Sequence, residues 1–248
     1  MDVDAEKVRK VTSDIEDGIS NADGELLYNL AKNVPEGQVI VEIGRGNGKS
    51  TVWLAKGSVD GNMNKIYNVR SRLGESEDIE SNKYVSDSEF ITNLEKAGVH
   101  SVVDCSYADS VDTSRKWKDK VGLLYINTLH GYEDMKEIFR SWESHLSPKG
   151  RVVLHGIEKP GPARIIKEYL GNLGDFIHEQ HAGALMVMKI DECIHHWIID
   201  ANEIGVCRYC GRIRNFKRLR READTAGIRR SQATKIKNKE NRTGTKKK

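Results

Sequence analysis

No apolar run in this 248-residue chain approaches the roughly 20 residues a helix needs to cross a bilayer. The polar start, "MDVDAEKVRK", has no apolar stretch of the kind a secretory signal requires. Both absences predict a soluble, cytoplasmic protein with no membrane partner. No internal repeat is visible, which argues against a solenoid or propeller. Cysteine is scarce: there are four, with Cys193, Cys207 and Cys210 close together and Cys105 alone. In a chain without a secretory signal, that clustering suits a metal better than disulfides.

Length allows one main domain with a good-sized core and an appended module. The net charge of +3 hides an asymmetry. From Arg208 to Lys248 there are 16 Lys and Arg against 3 acids, a net of +13; the remaining 24 basic and 34 acidic residues leave −10. An acidic body with a basic tail is the pattern of an interaction tail.

Periodicity supplies the elements. Residues 1–23 read as a polar segment with a loose surface helix. "GELLYNLAKNV" then puts Leu26, Leu27, Leu30 and Ala31 on one helical face, stopped by Pro35 and Gly37. Strands are expected from Val39, over Lys65 to Val69, in "HSVVDC", over Val121 to Asn127, in "GRVVLHGI", and as a closing pair between Phe176 and Ile190. Helices are expected between them: one after the first strand, one capped by Ser86 or Ser88 and ended by Gly98, one burying Met135, Ile138, Phe139 and Trp142, and one in "PARIIKEYLGNL". Strands alternating with helices predict a doubly wound, mostly parallel sheet, with ligands beyond the carboxyl ends of its strands.

The chemistry concentrates in "VIVEIGRGNGKST", Val39 to Thr51. A buried strand ends near Glu42 and turns through Gly44, Gly46 and Gly48 into a helix. Glycine there accepts positive φ and lets a ligand approach the backbone, while the helix's first amides face the turn. A tight turn with no ligand is the alternative. The stretch resembles the first motif of class I S-adenosylmethionine-dependent methyltransferases. The likeness covers about residues 20–190 and is closest to the group of sugar O-methyltransferases and cephalosporin-hydroxylase-like proteins. Members tend to read "VEIGSxxGxST", "IDPH", "FIDGDHxYExV" and "HD"; here "LLYINTLHGYEDM" and "SWESHLSPKGRVVLHGI" follow in the same order. The resemblance implies a Rossmann-like, seven-stranded sheet and S-adenosylmethionine bound by Glu42, Gly44, Gly46, Gly48 and Asn127. Glu42 either meets the cofactor's amino group through water or organises the turn.

The departures fall on charged positions. Arg45 stands where a small residue is usual. Arg70 replaces the acid that bonds the cofactor's ribose in this superfamily, and a guanidinium accepts no hydrogen bond. Asn127 and Gly156 replace two carboxylates that resemble Mg²⁺ ligands in metal-assisted relatives, so no hard divalent cation is expected. His130 aligns with the family's general base, and an imidazole suits the removal of a hydroxyl proton; its alternative, like that of His155, is a structural histidine.

Near the C-terminus, Cys193-x2-His196 and Cys207-x2-Cys210 form two ligand pairs, the second followed by Gly211. Thiolate and imidazole in fours suit structural Zn²⁺. His196 is preferred to His195 for its two-residue gap, and reduced cysteines packed without metal are the alternative. Trp197 and Phe216 would wrap the module. The organisation expected is thus a polar segment 1–23, a methyltransferase-like domain 24–190, a zinc-knuckle module 191–216 and a basic, mostly disordered tail 217–248, which either binds nucleic acid or only solvates. The function expected is O-methyl transfer from S-adenosylmethionine to a hydroxyl of a small molecule or sugar, with His130 as base. The alternative is a degenerate methyltransferase fold serving as a binding scaffold, with nucleic acid as one partner.

Overall fold

The computed structural model describes residues 3–44, 46–70, 87–127, 131–168, 176–190, 193, 195–209, 211–217 and 221. They fall into two compact units, Met1–Glu192 and Cys193–Lys248.

In the first unit, two helices, α1 (Val3–Val11) and α2 (Asn21–Lys32), precede β1 (Val39–Gly44) and α3 (Lys49–Val59). Then come β2 (Ile66–Val69), α4 (Asp87–Lys96), β3 (Val103–Ser106), α5 (Ser110–Arg115), β4 (Val121–Asn127), α6 (Tyr132–Glu143), β5 (Leu146–His155) and α7 (Pro160–Ile166). The hairpin β6 (Phe176–Ala182) and β7 (Leu185–Ile190) closes the unit. The sheet order is β3-β2-β1-β4-β5-β7-β6. β3 to β5 pair in parallel, and β7 runs antiparallel to both β5 and β6. The chain steps outward from β1 in one direction and from β4 in the other, so the switch point lies between them. That is where open sheets of this kind take ligands.

Every residue of β1 is buried because helices cover both faces. Successive strand residues serve different cores. Ile40, Leu123, Tyr125 and Val153 join α2, α3 and α4 on one side. Val41, Leu124, Ile126 and Val152 join Met135, Ile138, Phe139 and Trp142 of α6 on the other. α2 is held by a capping box between Ser20 and Asp23, and the Asp23 carboxylate also accepts from Ala184 N–H at 3.1 Å in the β6–β7 turn.

Three local expectations are corrected. The N-terminal segment is no loose surface helix: Ala5, Val8, Ile15 and Ile19 are buried in the first core, while Val11 stays exposed. His100–Val102 form a 3₁₀ turn, so the third strand starts only at Val103. α4 begins at Asp87, which puts Ser88 inside the helix, while Ser86 lies outside the described residues. The expected last helix is seen as α7 with residues 167–168 continuing in π form, and residues 169–175 are not among those described.

The second unit has a three-stranded antiparallel sheet: β8 (Trp197–Ile199), β9 (Ile204–Cys207) and β10 (Ile213–Asn215), with β9 central. Trp197 and Phe216 meet edge to face, ring centres 5.5 Å apart.

Candidate active site and metal cluster

At the switch point the carboxyl ends of β1 and β4 touch. Gly44 and Asn127 are register partners, and a Cβ on Gly44 would stand 2.6 Å from the Asn127 carbonyl oxygen. Only glycine fits that approach. Gly48 caps α3 with φ of 98° and has no side chain to bond the helix's first amides, which face the turn. Gly46 lies between, and Arg45 and His130 are outside the described residues.

Glu42 does not face open space. Its carboxylate is 2 % exposed and takes Ser50 Oγ at 2.5 Å on one oxygen, with Thr51 Oγ1 at 2.6 Å and Asn68 Nδ2 at 2.8 Å on the other. Burial pushes its pKa up, the three donors pull against that, and the charge of Asp17 adds to the rise. Glu42 therefore ties β1 to α3 and β2. The residues after the glycine turn, "KST", carried this signal in the sequence, as two hydroxyls one turn into a helix.

Arg70 at the end of β2 is a buried cation. Its Nε donates to Asp87 Oδ1 at 3.0 Å, one Nη donates to the Gly46 carbonyl at 3.2 Å, and its plane lies 4.1 Å from the Phe90 ring centre. Phe90 in turn packs on the turn, 3.1 Å from where a Gly48 Cβ would be. The position at which the resemblance leads one to expect a ribose-binding acid thus holds a guanidinium clamped to the glycine turn. Gly156 follows β5 at φ of 70°, a conformation that an aspartate adopts only under strain.

The segment between α1 and α2 crosses this edge. Asn47 Nδ2 donates to Glu16 O at 2.7 Å, and Lys49 N–H points at Asp17 Oδ2 at 3.3 Å. Gly18 comes near His155, at 3.8 Å between a built Cβ and Cε1. Nothing in the sequence pattern marked these residues as part of the site. Around the same edge several buried polar atoms find no partner among the described residues: Asn47 Oδ1, Asn68 Oδ1, one Arg70 Nη, the Tyr125 hydroxyl and both ring nitrogens of His155. Burial pushes the Tyr125 phenol well above its usual range, with Glu42, Asp17 and Asp23 adding to it.

In the second unit, Cys193, His195 and Cys207 place their ligand atoms within 4.8 Å of one another. The two sulfurs are 3.7 Å apart, too far for a disulfide. Tetrahedral zinc with bonds of about 2.3 Å needs sulfurs roughly 3.8 Å apart. The histidine in this cluster is His195, not His196. His195 joins Cys193 and Cys207, and its ring lies 4.6 Å from that of Trp197. The exposed His196 lies instead near Tyr209. Cys210 lies outside the described residues; the flanking backbone closes a turn, with Gly211 N–H to Cys207 O at 2.9 Å and Cys207 N–H to Arg212 O at 2.8 Å.

Among the described residues no helix is long and apolar enough to cross a membrane. Residues 41–157 match a family model described as a methyltransferase domain. No curated protein matches the chain in sequence. Solved structures do resemble it. An O-methyltransferase of tomaymycin synthesis from Streptomyces achromogenes, solved with S-adenosylmethionine, is 17 % identical over 77 % of this chain and 90 % of its own, with a TM-score of 0.53. An O-methyltransferase from Bacillus cereus, solved with S-adenosylhomocysteine, is 14 % identical over 77 % and 92 %, with a TM-score of 0.53. A protein from Corynebacterium glutamicum is 15 % identical over 79 % and 93 %, with a TM-score of 0.57. At such identities the likeness is one of fold. The matched segment runs from inside β1 to just past β5, through the glycine turn and the switch point, and over this stretch the chain is similar to methyltransferase domains.

Proposed function

We propose that the domain transfers the methyl group of S-adenosylmethionine to a hydroxyl of a small molecule or sugar. The observation that carries this reading is the set of orphaned buried polar atoms along the glycine-turn edge. Buried polar groups are almost always bonded, and a cluster of exceptions is what a polar ligand would satisfy. Gly44, Gly46 and Gly48 build the tight turn at this edge, and Asn127 offers an amide at the end of β4. When bound, S-adenosylmethionine supplies a methyl carbon on a positive sulfur. The acceptor oxygen bonds to that carbon as the carbon–sulfur bond breaks, the electron pair stays on sulfur, and the hydroxyl proton goes to a base, for which His130 is proposed. Asn127 and Gly156 offer no carboxylate for a hard cation, so the transfer is proposed to run without one. Holding oxygen and methyl in line is then the main source of acceleration. Calorimetric titration of the full chain with S-adenosylmethionine and S-adenosylhomocysteine tests the reading: saturable binding of both is expected, and no heat at millimolar ligand would reject it.

Arg70 and the two lost carboxylates favour a second reading, a binding scaffold on a methyltransferase fold, with the basic tail engaging nucleic acid. It requires cofactor or tail binding without turnover over a broad panel of hydroxyl acceptors. Tail binding would fall steeply as salt rises, because counterion release drives it.

For the second unit we propose a structural zinc on Cys193, His195 and Cys207, with Cys210 as fourth ligand. The 3.7 Å sulfur spacing supports it. Elemental analysis of protein purified without chelators should find one zinc per chain.

A further inference from the structure

We infer that Asp17 is the carboxylate that receives the ammonium group of the cofactor's amino-acid end. This rests on the cofactor reading above and gives it a residue. An amino acid lying in the glycine turn brings a positive nitrogen that needs an acceptor. Glu42, the acid that the sequence offers, has three donors on its two oxygens and is sealed from the turn. Asn127, at the end of β4, is neutral. Asp17 is the acid, among the described residues, whose oxygens lie against Gly46 itself: a Cβ built there would be 2.7 Å from Oδ2 and 3.0 Å from Oδ1. The space opened by the missing side chain is thus walled by a carboxylate.

That carboxylate is fixed rather than dangling. Gly18 N–H donates to Oδ1 at 2.7 Å, and Lys49 N–H, in the first turn of α3, points at Oδ2 at 3.3 Å. Asn47 anchors the preceding carbonyl of Glu16, and Ile15 and Ile19 are buried on either side. Two amides occupy two of about four acceptor positions on a carboxylate, which leaves room for an ammonium. Asp17 is half-buried, and its charge is felt by both Glu42 and Tyr125 beneath it. In a partly desolvated site a charge-assisted hydrogen bond of this kind is strong enough to set affinity.

The experiment is calorimetric titration of the full chain and of Asp17→Asn with two probes. S-adenosylmethionine carries the amino-acid end; 5′-methylthioadenosine keeps the adenosine and sulfur but lacks it. Asparagine preserves shape and removes charge. Asp17→Asn should weaken S-adenosylmethionine by about tenfold or more, the scale of one hydrogen bond to a charged group. It should leave 5′-methylthioadenosine unchanged, which also shows that the variant is folded. Unchanged or tighter binding of S-adenosylmethionine would overturn the assignment, the latter by showing that Asp17 only plugs the turn. Equal loss of both probes would overturn it too. Failure of the unaltered chain to bind either probe would remove the cofactor reading and this one with it, whereas binding that Asp17→Asn does not alter removes this one alone.

Discussion

Glu42 shows how one side chain can change its meaning between sequence and structure. Its place at the end of the first strand reads as a cofactor contact, yet Ser50, Thr51 and Asn68 use its oxygens to lock the turn. Burial raises its pKa, and the sign of the consequence can be worked out. Between the ordinary carboxyl range and the raised value, the folded chain keeps a proton that the unfolded chain has released. Stability therefore falls as pH climbs through that interval, and the cost of the charge is fully present above it. Glu42→Gln carries no such titration. Urea unfolding at several pH values should show unaltered protein losing stability relative to Glu42→Gln as pH rises from about 4 toward neutrality. A difference between the two that stays constant across that range would contradict the account. The neighbouring Arg70 could be read as a substitution from the sequence, but not as a buried clamp on Gly46, since its partners Asp87 and Phe90 are 17 and 20 residues further along.

Among the elements, α3 carries the turn, and its seat on α2 depends on a residue with no catalytic part. A Cβ on Gly57 would stand 2.2 Å from the Tyr28 carbonyl oxygen, with the Tyr28 Cα and carbonyl carbon at 2.9 Å. Alanine favours an isolated helix over glycine by about 1 kcal/mol, but here it forces two backbones apart, and overpacking of that kind costs about 1–3 kcal/mol or more. Packing wins because these atoms are backbone and cannot rotate away. Gly57→Ala should lose about 2 kcal/mol net in chemical denaturation, whereas Lys56→Ala, at the partly exposed neighbouring position on the same helix, should stay within about 0.5 kcal/mol. The alternation of strands with helices and the glycine turn were legible because period and turn chemistry are local properties. The α6 face of Met135, Ile138, Phe139 and Trp142 is buried as its spacing implies. What was not legible depends on where distant segments land: the fold of residues 12–20 over the turn, the 3₁₀ start of the third strand, and the choice between His195 and His196. That last choice turned on which ring reaches the two sulfurs, and His195, beside Trp197, is the one that does.

For the whole molecule, the two units have very different means of support. The first encloses two apolar cores, one on each side of a seven-stranded sheet. In the second, Cys207 is the one fully buried hydrophobic side chain among the described residues, while Ile198, Val206, Tyr209 and Ile213 are exposed. Three short strands with so little burial cannot offset their own chain entropy, so the fold must draw on something else. A metal held by Cys193, His195 and Cys207 is the available source, because binding to a site that exists only in the folded state adds directly to its stability. Chelation, or Cys207→Ser, should then open the second unit to protease while the first keeps its sheet. Limited proteolysis followed by mass analysis would read this as cuts confined to the region after Glu192, with far-UV circular dichroism losing only a small share of its signal. His195→Ala should reproduce the effect and His196→Ala should not, because only the first faces the two sulfurs. A second unit that stays protease-resistant when stripped of metal would mean that Trp197 and Phe216, stacked across the small sheet, suffice to hold it, and the zinc proposal would fail with that result.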